Sequence, residues 1–331
     1  MRTIALEEHF STPEILDATE KAWRDDPVVD MWRANRAKLL DVGKNRIADM
    51  DAAGIEMQVL SLSGTGLDKL DPATATSLAR DTNDKLACAV QAHPDRFAAF
   101  ATLALREPQN AALEFERCVR QLGFKGALVN GTCDGLFLDD RRFTPLFEAA
   151  QSLDVPIYLH PGLPPESVNQ AYFGGLTGNL GFVLSTAGWG WHVETGLHCL
   201  RLIVSGLFDR FPNLTIIIGH MGEALAYYIA RADSFLAPSA SHLKRRVSEY
   251  FHEHFYITTS GCFSEPPFVC ALKVVGADRI LFSVDYPYSS NAEGRAFLDG
   301  LPVSAEEMAK IAHGNAERVL KIRPASRANC D

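Results

Sequence analysis

Short apolar runs rich in β-branched residues alternate along the chain with longer segments of helical periodicity. The runs are Thr3–Leu6, Met57–Leu62, Phe97–Leu103, Gly126–Val129, Pro156–Leu159, Leu214–Ile218, Phe255–Thr259 and Ile280–Val284. Near-continuous hydrophobicity suits strands buried on both faces, as in a parallel sheet. Between the runs, Ala75–Ala92, Pro108–Gln121, Pro145–Ser152, His192–Leu207, Glu223–Ser234 and Pro266–Val275 read as helices. Such alternation implies right-handed crossovers. Eight units over about 280 residues predict a closed (β/α)8 TIM barrel with insertions in its βα loops, a single domain over residues 1–331. The competing doubly wound sheet would need a Gly-rich first turn, and here the first run is followed by EEHFSTP. Two irregular stretches interrupt the pattern. Pro161–Trp191 is rich in Gly, Asn and aromatics, and Ala237–Ser241 is a short Pro/Ser break. Long βα loops are where barrels build active sites.

Composition narrows the function. A net charge of −9 argues against nucleic acid, whose binding needs a basic surface to replace counterions. The basic cluster at 242–246 reads as a solvated face. The seven cysteines are odd in number, scattered and without a C-x-x-C pair, which fits reduced thiols in the cytoplasm. The N-terminus MRTIALEEHF has no apolar h-region, and no run of ~18 apolar residues suggests a membrane span.

The chemistry gathers at strand ends. Glu7 and His9 alternate with Glu8, so they share one face at the end of the first strand. His160 ends the apolar run at 156–159. His220, between Gly219 and Met221, ends the run at 214–218, with Glu223 three residues on, in the first turn of the next helix, within reach of the imidazole. Asp285 ends the last strand. Glu7 with His9, His160 and Asp285 each have a plainer reading, respectively an acidic turn, a core-edge histidine and a helix N-cap. Taken together, strands one, five, six and eight end in Glu, His or Asp at one rim, where barrel enzymes place catalytic groups. The set Glu7, His9, His160 and Asp285 reads as a site for one divalent ion, Mn²⁺ or Zn²⁺, and its two hard carboxylates favour Mn²⁺.

Over nearly its whole length the chain resembles the decarboxylase branch of the amidohydrolase superfamily. That group includes the aminocarboxymuconate semialdehyde, γ-resorcylate and 5-carboxyvanillate decarboxylases. The likeness runs through IALEEHF, NRIADMDAAGIE, HPDRFAAFATLAL, LDVPIYLHPG, LTIIIGHMGE and GADRILFSVDYPY. The chain keeps Glu7-x-His9, unlike members with His-x-His or Glu-x-Ala. It departs from the pattern in the short segment after Asn130 and in the aromatic series after His160: Tyr172, Phe173, Phe182, Trp189 and Trp191.

The resemblance implies a metal on Glu7, His9, His160 and Asp285, with His220 beside the substrate and Glu223 behind it. It offers Arg231 and Asn130 as further site residues, and Arg46 either as an arginine that reaches a neighbouring active site or as a plain helix-surface arginine. Phe182 and Trp191 would cover an aromatic ring. It further implies a homodimer or homotetramer, no organic cofactor, and decarboxylation of an ortho-hydroxylated aromatic acid. In that reaction the carboxylate and hydroxyl chelate the metal while Asp285 protonates the ring. The rival reading is metal-dependent hydrolysis of a lactone or amide on the same rim.

Overall fold

The computed structural model describes residues 1–23, 27–64 and 66–323. Cys330, one of the seven cysteines, lies outside them; the six described cysteines are all free thiols. Strands β1 (Ile4–Phe10), β2 (Met57–Leu62) and β3 (Phe97–Ala99) are neighbours in that order. So are β4 (Ala101–Thr102), β5 (Ala127–Asn130), β6 (Ile157–His160), β7 (Ile216–Ile218), β8 (Phe255–Thr258) and β9 (Ile280–Leu281). All of these pairings are parallel.

Phe100 alone separates β3 from β4. Its N–H donates to Leu60 O at 2.9 Å, while the next N–H, of Ala101, donates to Gly126 O at 2.8 Å. The predicted strand at 97–103 is therefore one strand bonded alternately to either side. The sheet's two edges also meet, through His9 N–H to Tyr286 O at 2.6 Å and Glu7 N–H to Ser283 Oγ at 2.7 Å. Eight strands thus close into the expected barrel.

Alternate residues fill the barrel and face the helices. Ile4, Leu6, Val59, Phe100, Leu128, Tyr158, Ile217 and Leu281 pack into the lumen. Ala5, Leu60, Phe97, Val129, Leu159, Ile218 and Ile257 pack outward beneath the helices. Truncating a lumen residue such as Phe100, which is fully buried, to alanine would cost about 3–5 kcal/mol. The helices follow from their signals. Pro72–Ala92, for example, starts on Asp71, whose carboxylate accepts from Thr74 N–H at 3.0 Å, and buries Ala75, Ala79 and Leu86 on one face.

Two predicted helices are corrected. The segment 192–207 is a helix Gly190–Val204 and a separate turn Leu207–Arg210, broken at Gly206, whose φ of 72° is left-handed. The helix expected from Glu223 begins at Leu225 instead, because the chain ahead of it is also left-handed. No helix among the described residues is long and apolar enough to cross a membrane.

Candidate active site

The rim is built first by a slip in β1. Strict alternation would send Glu7 and His9 outward with Ala5. The register against β2 shifts between Ala5, opposite Gln58, and Glu8, opposite Leu60. The extra residue lets Leu6 and Glu7 both turn inward, while Glu8 and Phe10 turn to the helices. Glu7 and His9 thereby reach the lumen mouth on a shared face.

Glu7 is fully buried there. Its Oε2 accepts from the Tyr158 and Ser260 hydroxyls, with Thr258 Oγ1 at 3.5 Å. Its Oε1 makes no hydrogen bond and faces His160 Nε2 at 3.1 Å and His220 Nε2 at 3.8 Å. His160 Nδ1 lies 2.8 Å from Pro161 O, so that nitrogen carries the ring proton and Nε2 is turned to the site. His9 Nε2 lies 3.2 Å from Asp285 Oδ1. One ligand atom from each of Glu7, His9, His160 and Asp285 falls within 4.8 Å of the others. An unsatisfied buried carboxylate oxygen among imidazole nitrogens is what a divalent cation would satisfy, so the donor set fits one.

The electrostatics agree. Burial alone would raise the Glu7 carboxyl, but His220, His160 and His9 outweigh it and hold Glu7 far below the usual carboxylate range. For His220, burial favours the neutral ring. The Glu223 and Glu7 carboxylates overcome it and push the imidazole up to about 10. Glu223, raised by burial, is pulled lower overall by His220 and His192.

Above the donors opens a cavity of about 830 Å³, with His9, His160, His220 and Asp285 at its base and Trp189 and Trp191 in its wall. The site is thus a buried carboxylate-imidazole cluster beneath an aromatic-walled cavity, at the strand ends of a parallel barrel. The amidohydrolase family profile matches residues 22–322. The chain belongs to the amidohydrolase family. It is similar to γ-resorcylate decarboxylase of Polaromonas sp. (strain JS666), with 39% identity over 330 residues covering 96% of this chain and 98% of the relative. A crystal structure of dihydroxybenzoic acid decarboxylase from Polaromonas sp. JS666, with bound manganese and the inhibitor 2-nitroresorcinol, matches at TM-score 0.87 and 39% identity over 98% of each chain. That of 5-carboxyvanillate decarboxylase from Sphingomonas paucimobilis matches at TM-score 0.90 and 35% identity, over 97% of this chain and 99% of the other.

The other expected residues divide between this amidohydrolase site and places outside it. Glu223 bonds His220 Nδ1 at 2.7 Å as anticipated, but from a left-handed turn (φ 54°) and not from a helix. Asn130 ends β5; its Nδ2 donates to Gly64 O at 3.3 Å, and its Oδ1 is buried without a partner among the described residues. Trp191 lines the cavity, and its indole N–H is likewise unpartnered. Phe182 instead packs against a separate apolar cluster around Trp23 and Trp32, because the insertion folds back onto the helix at 28–39. Arg231 is exposed on the helix Leu225–Leu236, its guanidinium over the Phe235 ring, and does not reach the chain's own cavity.

Arg46 requires the largest correction. It is wholly buried in its own subunit, beneath β1. Its guanidinium donates to His9 O at 2.6 Å, Asp41 O at 2.7 Å and Lys38 O at 3.1 Å, and stacks on the Tyr286 ring. Nη1 also donates to Gln58 Oε1 at 3.4 Å, and Arg46 does not line the chain's own cavity. Beside it Glu8, raised to about 8 by burial, accepts from Val284 N–H at 2.8 Å and Tyr286 N–H at 3.2 Å. Arg46 and Glu8 thus brace the two segments that carry His9 and Asp285.

Sequence reasoning also missed His192, Tyr158 and Ser260. Tyr158 and Ser260 are two residues from lumen or rim positions, a signal available from alternation. His192 had none beyond opening the helix after the insertion.

Proposed function

We infer that the chain, acting as one domain over residues 1–331, is a metal-dependent, non-oxidative carboxy-lyase of an ortho-hydroxylated aromatic acid of the 2,6-dihydroxybenzoate type. The observation that carries this is the position of Asp285. It is the one member of the donor cluster that is more than a tenth exposed, and it opens onto the aromatic-walled cavity. The 39% identity with a γ-resorcylate decarboxylase over 96% of the chain supports the same reading.

Bound at Glu7, His9, His160 and Asp285, a divalent ion, Mn²⁺ in preference to Zn²⁺, supplies a Lewis acid and a template for adjacent carboxylate and hydroxyl oxygens. Asp285 delivers a proton to the ring carbon bearing the carboxylate: its O–H bond breaks as the new C–H bond forms. The bond from ring to carboxylate then breaks, its electrons restore aromaticity, and CO₂ leaves. His220, oriented by its Nδ1 contact with Glu223, turns Nε2 toward the substrate oxygens, and Trp189 and Trp191 exclude water from the ring.

The test is a matched pair of acids with Mn²⁺ present, one hydroxylated at the 2-position and one only at the 4-position. The ortho acid should release CO₂ and the para acid react slowly or not at all. Equal rates, or a product that keeps its carboxylate, would move the reading to a hydrolase.

The chain assembles as a homodimer or homotetramer in the cytoplasm. Supporting this are the free thiols among the described residues and two exposed apolar groups: Leu176, Leu180 and Val183 on the insertion, and Tyr227, Tyr228 and Phe235 on the helix Leu225–Leu236. Light scattering that gives a monomer at micromolar concentration would contradict the assembly.

A further inference from the structure

The helix Gly190–Val204 opens directly after the long insertion, and its first turn places His192 in the cavity wall. Glu223 serves two imidazoles at once. His220 Nδ1 lies 2.7 Å from Oε1, and His192 Nδ1 lies 2.7 Å from Oε2. The two rings stand 4.8 Å apart at 61°. On its far side, His192 Nε2 lies 3.0 Å from Ala187 O, within the insertion. The ring is therefore a strut between the segment carrying Trp189 and Trp191 and the carboxylate behind His220.

The turn that carries Glu223 needs such a strut. His220, Met221, Gly222, Glu223 and Ala224 all have φ between 47° and 83°. Four of these five residues bear a Cβ, and left-handed conformations of that kind persist only where their surroundings over-determine them. The helix Gly190–Val204 meets the turn at a second point as well. A Cβ at Gly196 would lie 2.9 Å from Glu223 O, so helix and turn backbones are in direct contact.

We propose that His192 is a positioning residue of the decarboxylase site. It fixes Glu223, and through it directs His220 Nε2 at the substrate. Because it is anchored to the insertion, placing the tryptophans over the ring and aligning His220 become one event. The proposal rests on the function inferred above. The competing account makes His192 filler between insertion and barrel, in which case its volume matters and its Nδ1 does not.

Three substitutions separate the two. The amide nitrogen of Asn takes roughly the place of Nδ1, and that of Gln roughly the place of Nε2. In the Mn²⁺-loaded full chain, His192→Asn should keep kcat within about 5-fold of the parent. His192→Gln and His192→Phe should each lower kcat by roughly 100-fold, with KM and bound metal little changed, the size of effect expected from misplacing a catalytic group by about 1 Å. A second readout needs no turnover: ¹⁵N spectra of histidine-labelled, Zn²⁺-loaded protein. The His220 Nδ1 signal should stay near its parental shift in His192→Asn and move or broaden in His192→Gln and His192→Phe. Equal kcat in all three variants, or a Phe variant with parental kcat and His220 signal, would overturn the proposal. If the parent protein turns over no hydroxybenzoate, the functional reading fails, and the spectra still decide the role of His192.

Discussion

Gly219→Ala tests the metal site without altering any ligand. Gly219 has an ordinary backbone, φ −79°, so alanine brings no conformational strain. What it brings is a methyl group 2.8 Å from Glu7 Oε2 and 3.3 Å from Glu223 Oε1. Ordinary contact begins at 3.4 Å, so the Glu7 carboxylate must retreat by about 0.6 Å. A free carboxylate would do so at little cost. This one is held by the Tyr158 and Ser260 hydroxyls and surrounded by three histidines, so the displacement passes to its other oxygen, Oε1, which faces the His160 ring. Crowding of this kind costs about 1–3 kcal/mol of stability. Shifting an outer contact of a ligand costs roughly 10–100-fold in metal affinity. Mn²⁺ titration of the chelator-stripped protein, followed by electron paramagnetic resonance, reads that affinity directly, and circular dichroism checks the fold. A folded Gly219→Ala protein with the parental Mn²⁺ affinity would mean that Glu7 is not a ligand, or that its carboxylate is free to move.

Two further outcomes follow from the buried charges. Arg46→Met removes the donors to His9 O, Asp41 O and Lys38 O and should destabilise the fold by about 3–5 kcal/mol, seen as a lower Tm. A normally stable variant with only a raised KM would instead restore Arg46 as a substrate residue. In the metal-free protein the carboxylates raise His220 from 6.5 to about 10, so its bonus is complete below about pH 6.5 and disappears as pH rises through 10. Thermal melts in chelator should therefore show stability falling across that range, with a flatter slope in Glu223→Gln; a rise with pH in the parent would contradict the pairing.

The strands, their order and most helices were legible because burial on both faces leaves an uninterrupted apolar signal, and because proline and capping residues mark helix starts. That Glu7 and His9 share a face also followed from alternation. Which face they share did not, since the extra residue in β1 reverses the phase after Leu6 and leaves no mark in composition. The turn at 220–224 was misread for a related reason. GHMGE has a helical look, and only one of its left-handed residues is a position where glycine announces the conformation within the turn. Arg46 shows the limit of resemblance: a motif arginine was expected at a neighbour's active site or on a helix surface, and burial places it on backbone carbonyls instead. His192 was invisible because its partner lies 31 residues away, across the mouth of the barrel.

The central claim is that the chain breaks the bond from ring to carboxylate without oxidation, a proton taking the place of the CO₂ on the same carbon. Turnover of 2,6-dihydroxybenzoate in D₂O with Mn²⁺ present, with the product read by ¹H NMR and mass spectrometry, tests it most directly. The account predicts CO₂ and a resorcinol carrying one deuterium, at the carbon between its two hydroxyls. A product that retains its carboxylate, or deuterium placed at any other ring position, would contradict it.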